Sequence, residues 1–289
     1  MQSAGPNAQQ IEYWNQLAGP RWVSHQEFLD AQIAPLGRLA MEHASLAPGE
    51  RVIDVGCGCG DSTLEIARRV GAAGEVLGID LSAPMLERAR ERSRASDAVN
   101  AGFLQADAQT QAFEPASFDL LYSRFGVMFF ADPVAAFANL RGALRASGRL
   151  AFVCWQPLAR NPWMLVPLAA AAKHVELPQP PAPGAPGPFA FGDPDLVRGI
   201  LGKAGFADVS VEPVESELSI GGADLDSTVE FLLGIGPAAA SLRDASREQR
   251  ALVAGAIREA IEPYSTPAGV RMRGATWIVR ARGGASRDG

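Results

Sequence analysis

The residues with the types and spacing to do chemistry begin at Asp54-Val55-Gly56-Cys57-Gly58-Cys59-Gly60, directly after the β-branched run 51–55 and before an amphipathic segment. Glycines at such a strand-to-helix turn let the chain bend sharply. They also let a ligand lie against bare main chain, where any Cβ would collide. A dinucleotide loop needs its third glycine three residues after the second, and here that position is Asp61 while the glycine stands at 60. The spacing admits a nucleotide-sized ligand and speaks against a dinucleotide. Asp80 ends the next apolar run about 20 residues on, placed to accept hydrogen bonds from both hydroxyls of a ribose. Asp107-Ala108 ends a third run, where a carboxylate accepts from an adenine amino group, and Asp119 sits in a fourth, which Ser123-Arg124-Phe125 closes.

These residues need strands and helices to hold them. The spacing predicts strands over 51–55, 75–79, 102–105, 118–122 and 150–155, alternating with helices from Ser62 to about Val70, over 84–94 and over 134–145. Ser62 with Glu65 reads as a capping box opening the first helix. Such alternation implies right-handed crossovers and a Rossmann-like, doubly wound, mostly parallel α/β sheet. In such sheets ligands bind beyond the carboxyl ends of the strands, where the motifs fall. Past Trp155 the rhythm changes: 178–188 holds six prolines and two glycines and reads as a loop or flexible strap. A helix over 194–204, a strand over 207–213, a mostly helical stretch over 224–263 and a closing strand over 275–281 follow. The expected organisation is an N-terminal helical leader or lid (1–47), an α/β core that binds the cofactor (48–156), and a remainder with the last strands and a cap insertion over the substrate (157–289).

The run 51–155 resembles class I S-adenosylmethionine-dependent methyltransferases, and within them the ubiquinone and menaquinone biosynthesis branch. It does so through Val52-Ile53-Asp54-Val55-Gly56-Cys57-Gly58-Cys59-Gly60, Gly78-Ile79-Asp80-Leu81-Ser82, Gln105-Ala106-Asp107-Ala108, Phe118-Asp119-Leu120 and Leu144-Arg145-Ala146-Ser147-Gly148-Arg149-Leu150. The resemblance implies that Asp54, Gly56, Gly58 and Gly60 surround the methionine moiety of S-adenosylmethionine and that Asp80 holds the ribose. It implies further that Leu81 and Met85 flank the adenine, that Asp107 and Ala108 meet its polar edge, and that Ser123 lines the sulfonium end. The family's Lys-Pro-Gly-Gly turn reads Arg145-Ala146-Ser147-Gly148 here, a departure in a surface turn. S-adenosylhomocysteine would be the product, and no metal is expected.

A sulfonium methyl is already activated, so the acceptor site must chiefly align an N, O, S or C nucleophile and keep water out. Tyr13, Trp14 and Trp22 make the leader rich in aromatics, whose faces attract a sulfonium cation. Phe125, Phe129, Trp155 and Trp163 follow the fourth and fifth strands, giving an apolar pocket suited to a planar or hydrophobic small molecule. Two of these four are expected to face it. Arg124 either meets an acidic substrate group or forms a salt bridge. Among His25, His43 and His174, His25 is the candidate base, from its place among the leader aromatics. The alternatives are a nucleotide-dependent oxidoreductase and a protein that binds S-adenosylmethionine without turnover.

The formal charge of -6 and a pI near 5.2 speak against nucleic acid as a partner. Cys57, Cys59 and Cys154 are too few and too oddly spaced for a disulfide framework. Residues 1–20 lack the basic and apolar regions of a signal peptide, and the longest apolar run, 163–172, is too short for a membrane span. The expectation is a cytoplasmic transferase, monomeric or homodimeric.

Overall fold

The computed structural model describes residues 5–96, 98–179, 181–182 and 184–284. Its centre is a sheet built from β1 (Arg51–Val55), β2 (Glu75–Asp80), β3 (Ala101–Gln105), β4 (Phe118–Arg124), β5 (Leu144–Trp155), β6 (Ala207–Ile220), β7 (Ser265–Thr266) and β8 (Gly269–Arg282). The spatial order is β3-β2-β1-β4-β5-β8-β6, with β7 paired to β8. β1 pairs in parallel with β2 and with β4, β2 with β3, and β4 with β5, whereas β8 runs antiparallel between β5 and β6. The strand order reverses between β1 and β4. That is the switch point at which open α/β sheets bind ligands.

Helices pack on this sheet. The leader holds α1 (Ala8–Tyr13), a π-helical turn over Trp14–Ala18, α2 (Gly19–Ser24) and α3 (Gln26–His43). Then come α4 (Asp61–Val70), α5 (Ala83–Arg94), α6 (Pro133–Ala143), α7 (Pro162–Ala171) and α8 (Pro194–Lys203). Between β6 and β7 lie α9 (Leu225–Gly234), α10 (Pro237–Ser241) and α11 (Arg247–Ile261), the helices of the expected cap. Central strands buried on both faces need apolar side chains throughout, and Leu120, Leu121 and Tyr122 of β4 are fully buried with Phe152 of β5 and Phe137 of α6. The buried Tyr122 hydroxyl donates to the Gly37 carbonyl of α3 at 2.9 Å, tying the leader's long helix to the sheet.

Several expected boundaries shift, among them the starts of β5, at Leu144 instead of 150, and of β8, at Gly269 instead of 275. The start of α4 carries no side-chain cap, so no Ser62–Glu65 box forms. Gly60 takes the N-cap position with φ +83°, the Ser62 hydroxyl donates inward to Asp54, and Glu65 pairs with Arg68 and Arg69. The helix expected to reach Arg145 stops at Ala143, because Leu144 already lies in β5 against Phe118. The strand expected to end at Pro213 runs on to Ile220. β6 lies at the sheet edge, where a residue without an N–H costs no ladder bond.

Candidate active site

The loop after β1 turns through Gly56 and Gly58, both at positive φ, +68° and +55°. Gly56 faces Gly126 of the loop after β4 so closely that a Cβ on either would come within 3 Å of the other's backbone. The two loops on either side of the switch point therefore meet back to back. Ser123 fixes this junction: its hydroxyl donates to the Val55 carbonyl at 2.7 Å and accepts from the Gly126 amide at 3.1 Å.

Beneath the loop, Asp54 is fully buried. Its Oδ2 accepts from the hydroxyls of Ser62 (2.7 Å) and Thr63 (2.6 Å), while Oδ1 has no partner. Burial pushes its carboxyl up to about 6, against the opposing pull of the two hydroxyls. Asp54 thus braces the loop onto the first turn of α4. Asp80 closes β2 with each oxygen held by one backbone N–H, Oδ1 by Ser82 and Oδ2 by Gly58, both at 2.8 Å. Burial raises its pKa, and these N–H groups oppose the rise. A carboxylate oxygen has more than one lone-pair site, so this half-buried group is oriented and keeps capacity to accept from a diol. Asp107, two residues past the end of β3, is held through one oxygen, its Oδ1 accepting from Gln109 N (2.9 Å) and from the Asn7 side chain (2.7 Å).

These strand ends open into one cavity of about 720 Å³, within the range of sites that bind small molecules and cofactors. Gly56, Gly58, Asp80, Leu81, Met85, Asp107 and Ala108 line one part of it. Tyr13, Trp14, Trp22, Phe125, Phe129, Trp155 and Trp163 line it too, so all four aromatics after β4 and β5 face the space, where two were expected. Phe125 adopts φ +62°, a strained conformation for a bulky side chain. Its ring stacks on Trp155 at 4.3 Å and 15°. Trp155 meets Trp163 at 5.2 Å, and Trp14 meets Phe129 edge-on at 5.1 Å.

Four expected site residues stand elsewhere. Asp54 and Gly60 do not line the cavity; the first braces α4 and the second packs against Ala89 and Phe103. Ser123 is buried and spent on Val55 and Gly126, so it does not line the sulfonium end. His25, the expected base, lies outside the cavity in a separate shallow recess. Its ring stands edge-on to Phe231, 5.7 Å between centroids, where the α2–α3 junction meets the cap. Arg124 forms salt bridges with Asp30 (3.3 Å) and Asp61 (2.7 Å), which Arg92 joins from α5. Asp119 is structural, accepting from the Arg51 amide and from Arg145.

The sequence from 52 to 148 matches the family model described as a methyltransferase domain. The nocamycin O-methyltransferase of Saccharothrix syringae is 31% identical over 208 residues, 68% of this chain and 71% of that protein. The chain belongs to the class I S-adenosylmethionine-dependent methyltransferases. The aklanonic acid methyltransferase of Streptomyces sp. strain C5 is 37% identical over 118 residues, 41% of this chain and only 54% of the relative's own length. Among solved structures, that of the [4+2]-cyclase SpnF aligns with TM-score 0.53 and 19% identity over 87% of this chain and 82% of its own. That likeness is one of fold, and one fold hosts more than one reaction.

Around the cavity stand features that no motif in the sequence marks. Asn7, at the start of α1, donates to Asp107 and to the Gln109 side chain and accepts from the Ala131 amide (2.8 Å), joining the leader to the ends of β3 and β4. Asn15 donates to the Leu81 carbonyl (3.0 Å) and accepts from the Ala83 amide (2.9 Å), clasping the loop that carries Asp80. Nothing in the local sequence sets these two apart from the leader's other polar residues, among them Gln9, Gln10, Glu12 and Gln16. From the proline-rich stretch, Leu177 to Gln179, Pro181, Ala182 and residues 187–190 reach the cavity, and the Gly187 amide bonds to the Met128 carbonyl at 3.0 Å. Among the described residues no group of three or more His, Cys, Asp or Glu side chains is placed to hold a metal ion, and no helix is long and apolar enough to cross a membrane.

Proposed function

We propose that this protein transfers the methyl group of S-adenosylmethionine to a small, planar or hydrophobic acceptor. The observation that carries the reading is a single cavity joining a diol-binding carboxylate, Asp80, to an aromatic chamber walled by Phe125, Trp155 and Trp163. The residues present fit the cofactor. Asp80 is held by two N–H groups so that its free lone pairs meet the ribose hydroxyls. Leu81 and Met85 offer apolar surface to the adenine, with Asp107 and Ala108 at its polar edge. Gly56 and Gly58 give the methionine moiety bare main chain to lie against. When bound, the cofactor supplies an electrophilic methyl on a sulfonium. The chain's own part is to orient the acceptor and exclude water, using the leader (1–47), the core (48–156) and the cap and last strands (157–289) as floor and covers.

Trp14 and Trp22 line the cavity from the leader, where an aromatic face turned to a cation would stabilise it by about 0.5–2 kcal/mol. With His25 outside the cavity, the titratable groups lining it among the described residues are Cys57, Cys59, Asp30, Asp80, Asp107, Tyr13 and Arg124. Burial raises both thiols, Cys59 to about 12, so neither is a base near neutral pH. Asp30 is clamped by Arg124, Arg92 and Gln26. The role of the protein is therefore alignment more than proton abstraction. Incubation with S-adenosylmethionine and a panel of planar hydroxylated or amino-bearing acceptors tests this, with S-adenosylhomocysteine release as the readout. Acceptor-dependent release supports methyl transfer. Tight cofactor binding with no release across the panel contradicts it.

A further inference from the structure

The amino-acid end of S-adenosylmethionine carries an ammonium, and an ammonium that leaves water for a largely apolar cavity needs an opposite charge. The sequence motif puts Asp54 at that end, yet Asp54 is fully buried beneath the loop and does not line the cavity. Among the described residues three carboxylates do: Asp80 and Asp107, from the ends of β2 and β3, and Asp30, from α3. Asp30 lies on the face of α3 that lines the cavity, together with Gln26, Leu29 and Ile33, and its side chain keeps 17% exposure. Arg92 fixes where it stands: Nη1 donates to Asp30 Oδ2 and to the Cys59 carbonyl, both at 2.9 Å. The carboxylate is thus one nitrogen away from the main chain of the glycine loop. Gln26 also donates to Oδ2, at 2.5 Å, whereas Oδ1 has only Arg124, at 3.3 Å, longer than a well-made bond. Oδ1 therefore has capacity for a further donor. Burial raises the pKa of this carboxyl and Asp61 adds to the rise, so Arg124, Arg92 and Gln26 do not fully offset the cost of its charge. A cation in the cavity would reduce that cost.

We infer that Asp30, supplied by the leader, is the counter-charge for the ammonium of S-adenosylmethionine, the place that the sequence motif gives to Asp54. The inference rests on the cofactor reading above and adds a residue to it. It also gives the surrounding ion pairs a purpose. Arg92 ties Asp30 to the glycine loop, and Arg124 at the end of β4 holds Asp30 of α3 and Asp61 of α4 to one another. The carboxylate is thereby oriented before any ligand arrives, which lowers what binding must spend on ordering it. An ammonium that bonds to Asp30 while its chain lies on Gly56 and Gly58 joins the leader to the core. A ligand without the amine makes no such bridge.

Calorimetry with S-adenosylhomocysteine, with its deamino analogue, which has hydrogen in place of the amino group, and with methylthioadenosine, which lacks the whole amino-acid end, tests the assignment. The wild type should bind S-adenosylhomocysteine at least about tenfold more tightly than the deamino analogue. Asp30→Asn keeps the size of the side chain and removes its charge. It should bind S-adenosylhomocysteine about tenfold more weakly, while its affinities for the other two ligands fall by no more than about twofold. Asp54→Asn should retain the wild-type preference for the amine. Equal affinity of the wild type for S-adenosylhomocysteine and the deamino analogue overturns the assignment without recourse to any variant. Unchanged binding in Asp30→Asn overturns it too, as does an equal loss for all three ligands, which would make the residue a brace for the leader. Loss of the preference in Asp54→Asn, with Asp30→Asn retaining it, would return the role to Asp54. Failure of the wild type to bind either S-adenosylhomocysteine or methylthioadenosine would instead overturn the cofactor reading beneath it.

Discussion

Asp54 shows how burial sets chemistry at a single residue. Its carboxyl rises from 3.8 to about 6 because desolvation outweighs the two hydroxyls that bond to it. The folded state therefore binds that proton more tightly than the unfolded chain. The resulting stability is fully present below about pH 4 and lost as the pH rises through about 6. Asp54→Asn keeps the shape and cannot ionise. The stability of the wild type minus that of the variant, from urea unfolding, should fall by up to about 3 kcal/mol across this window; a flat or rising difference would contradict the account. Ser123 offers a second test. Ser123→Ala leaves the Gly126 amide and the Val55 carbonyl without their bonds, so the protein should lose about 1–3 kcal/mol of stability while S-adenosylhomocysteine affinity changes only a few-fold. A large loss of affinity without loss of stability would place Ser123 at the ligand instead.

Among the elements, the leader depends on a few polar anchors. Asn7→Ala removes the bonds that join α1 to Asp107, Gln109 and Ala131. Hydrogen exchange in α1 and α2 should speed up, and S-adenosylhomocysteine should bind about tenfold more weakly as the cover loosens. Unchanged exchange in those helices would show that the aromatic contacts of Trp14 hold the leader alone. The elements also show what the sequence makes legible. The β-branched and apolar runs of β1 and β2 announce themselves, as does the helix after each, because a buried strand and an amphipathic helix impose periods on composition. β6 and β8 are longer than their local signals. Pro213 and the charged residues of β6 suit an edge strand, and Gly274 of β8 makes room for Leu218, a contact that only the sheet order creates. The same limit hides Asn7, Asn15 and Gly126, whose meaning lies in partners far along the chain. It also misplaced His25: nearness to Trp22 in sequence does not carry it into the cavity, because the turn into α3 directs its ring to Phe231 of the cap.

At the scale of the whole molecule, the cavity is lined from three distant stretches, by residues among 7–33, by 177–179, 181–182, 184–185 and 187–190, and by residues among 235–240, laid over the strand ends of the core. A ligand that bridges core and covers binds the folded state alone, so it stabilises the protein by about 2.7 kcal/mol at one hundred times its dissociation constant. The central claim is that the carboxylate at the end of β2 holds S-adenosylmethionine at the switch point of the sheet. Isothermal calorimetry with S-adenosylhomocysteine and with NADH, on the wild type and on Asp80→Ala, tests this most directly. The expected result is S-adenosylhomocysteine binding in the wild type, at least a tenfold weaker affinity in the variant, and no NADH binding by either. Equal affinity in wild type and variant, or preference for NADH, would contradict it.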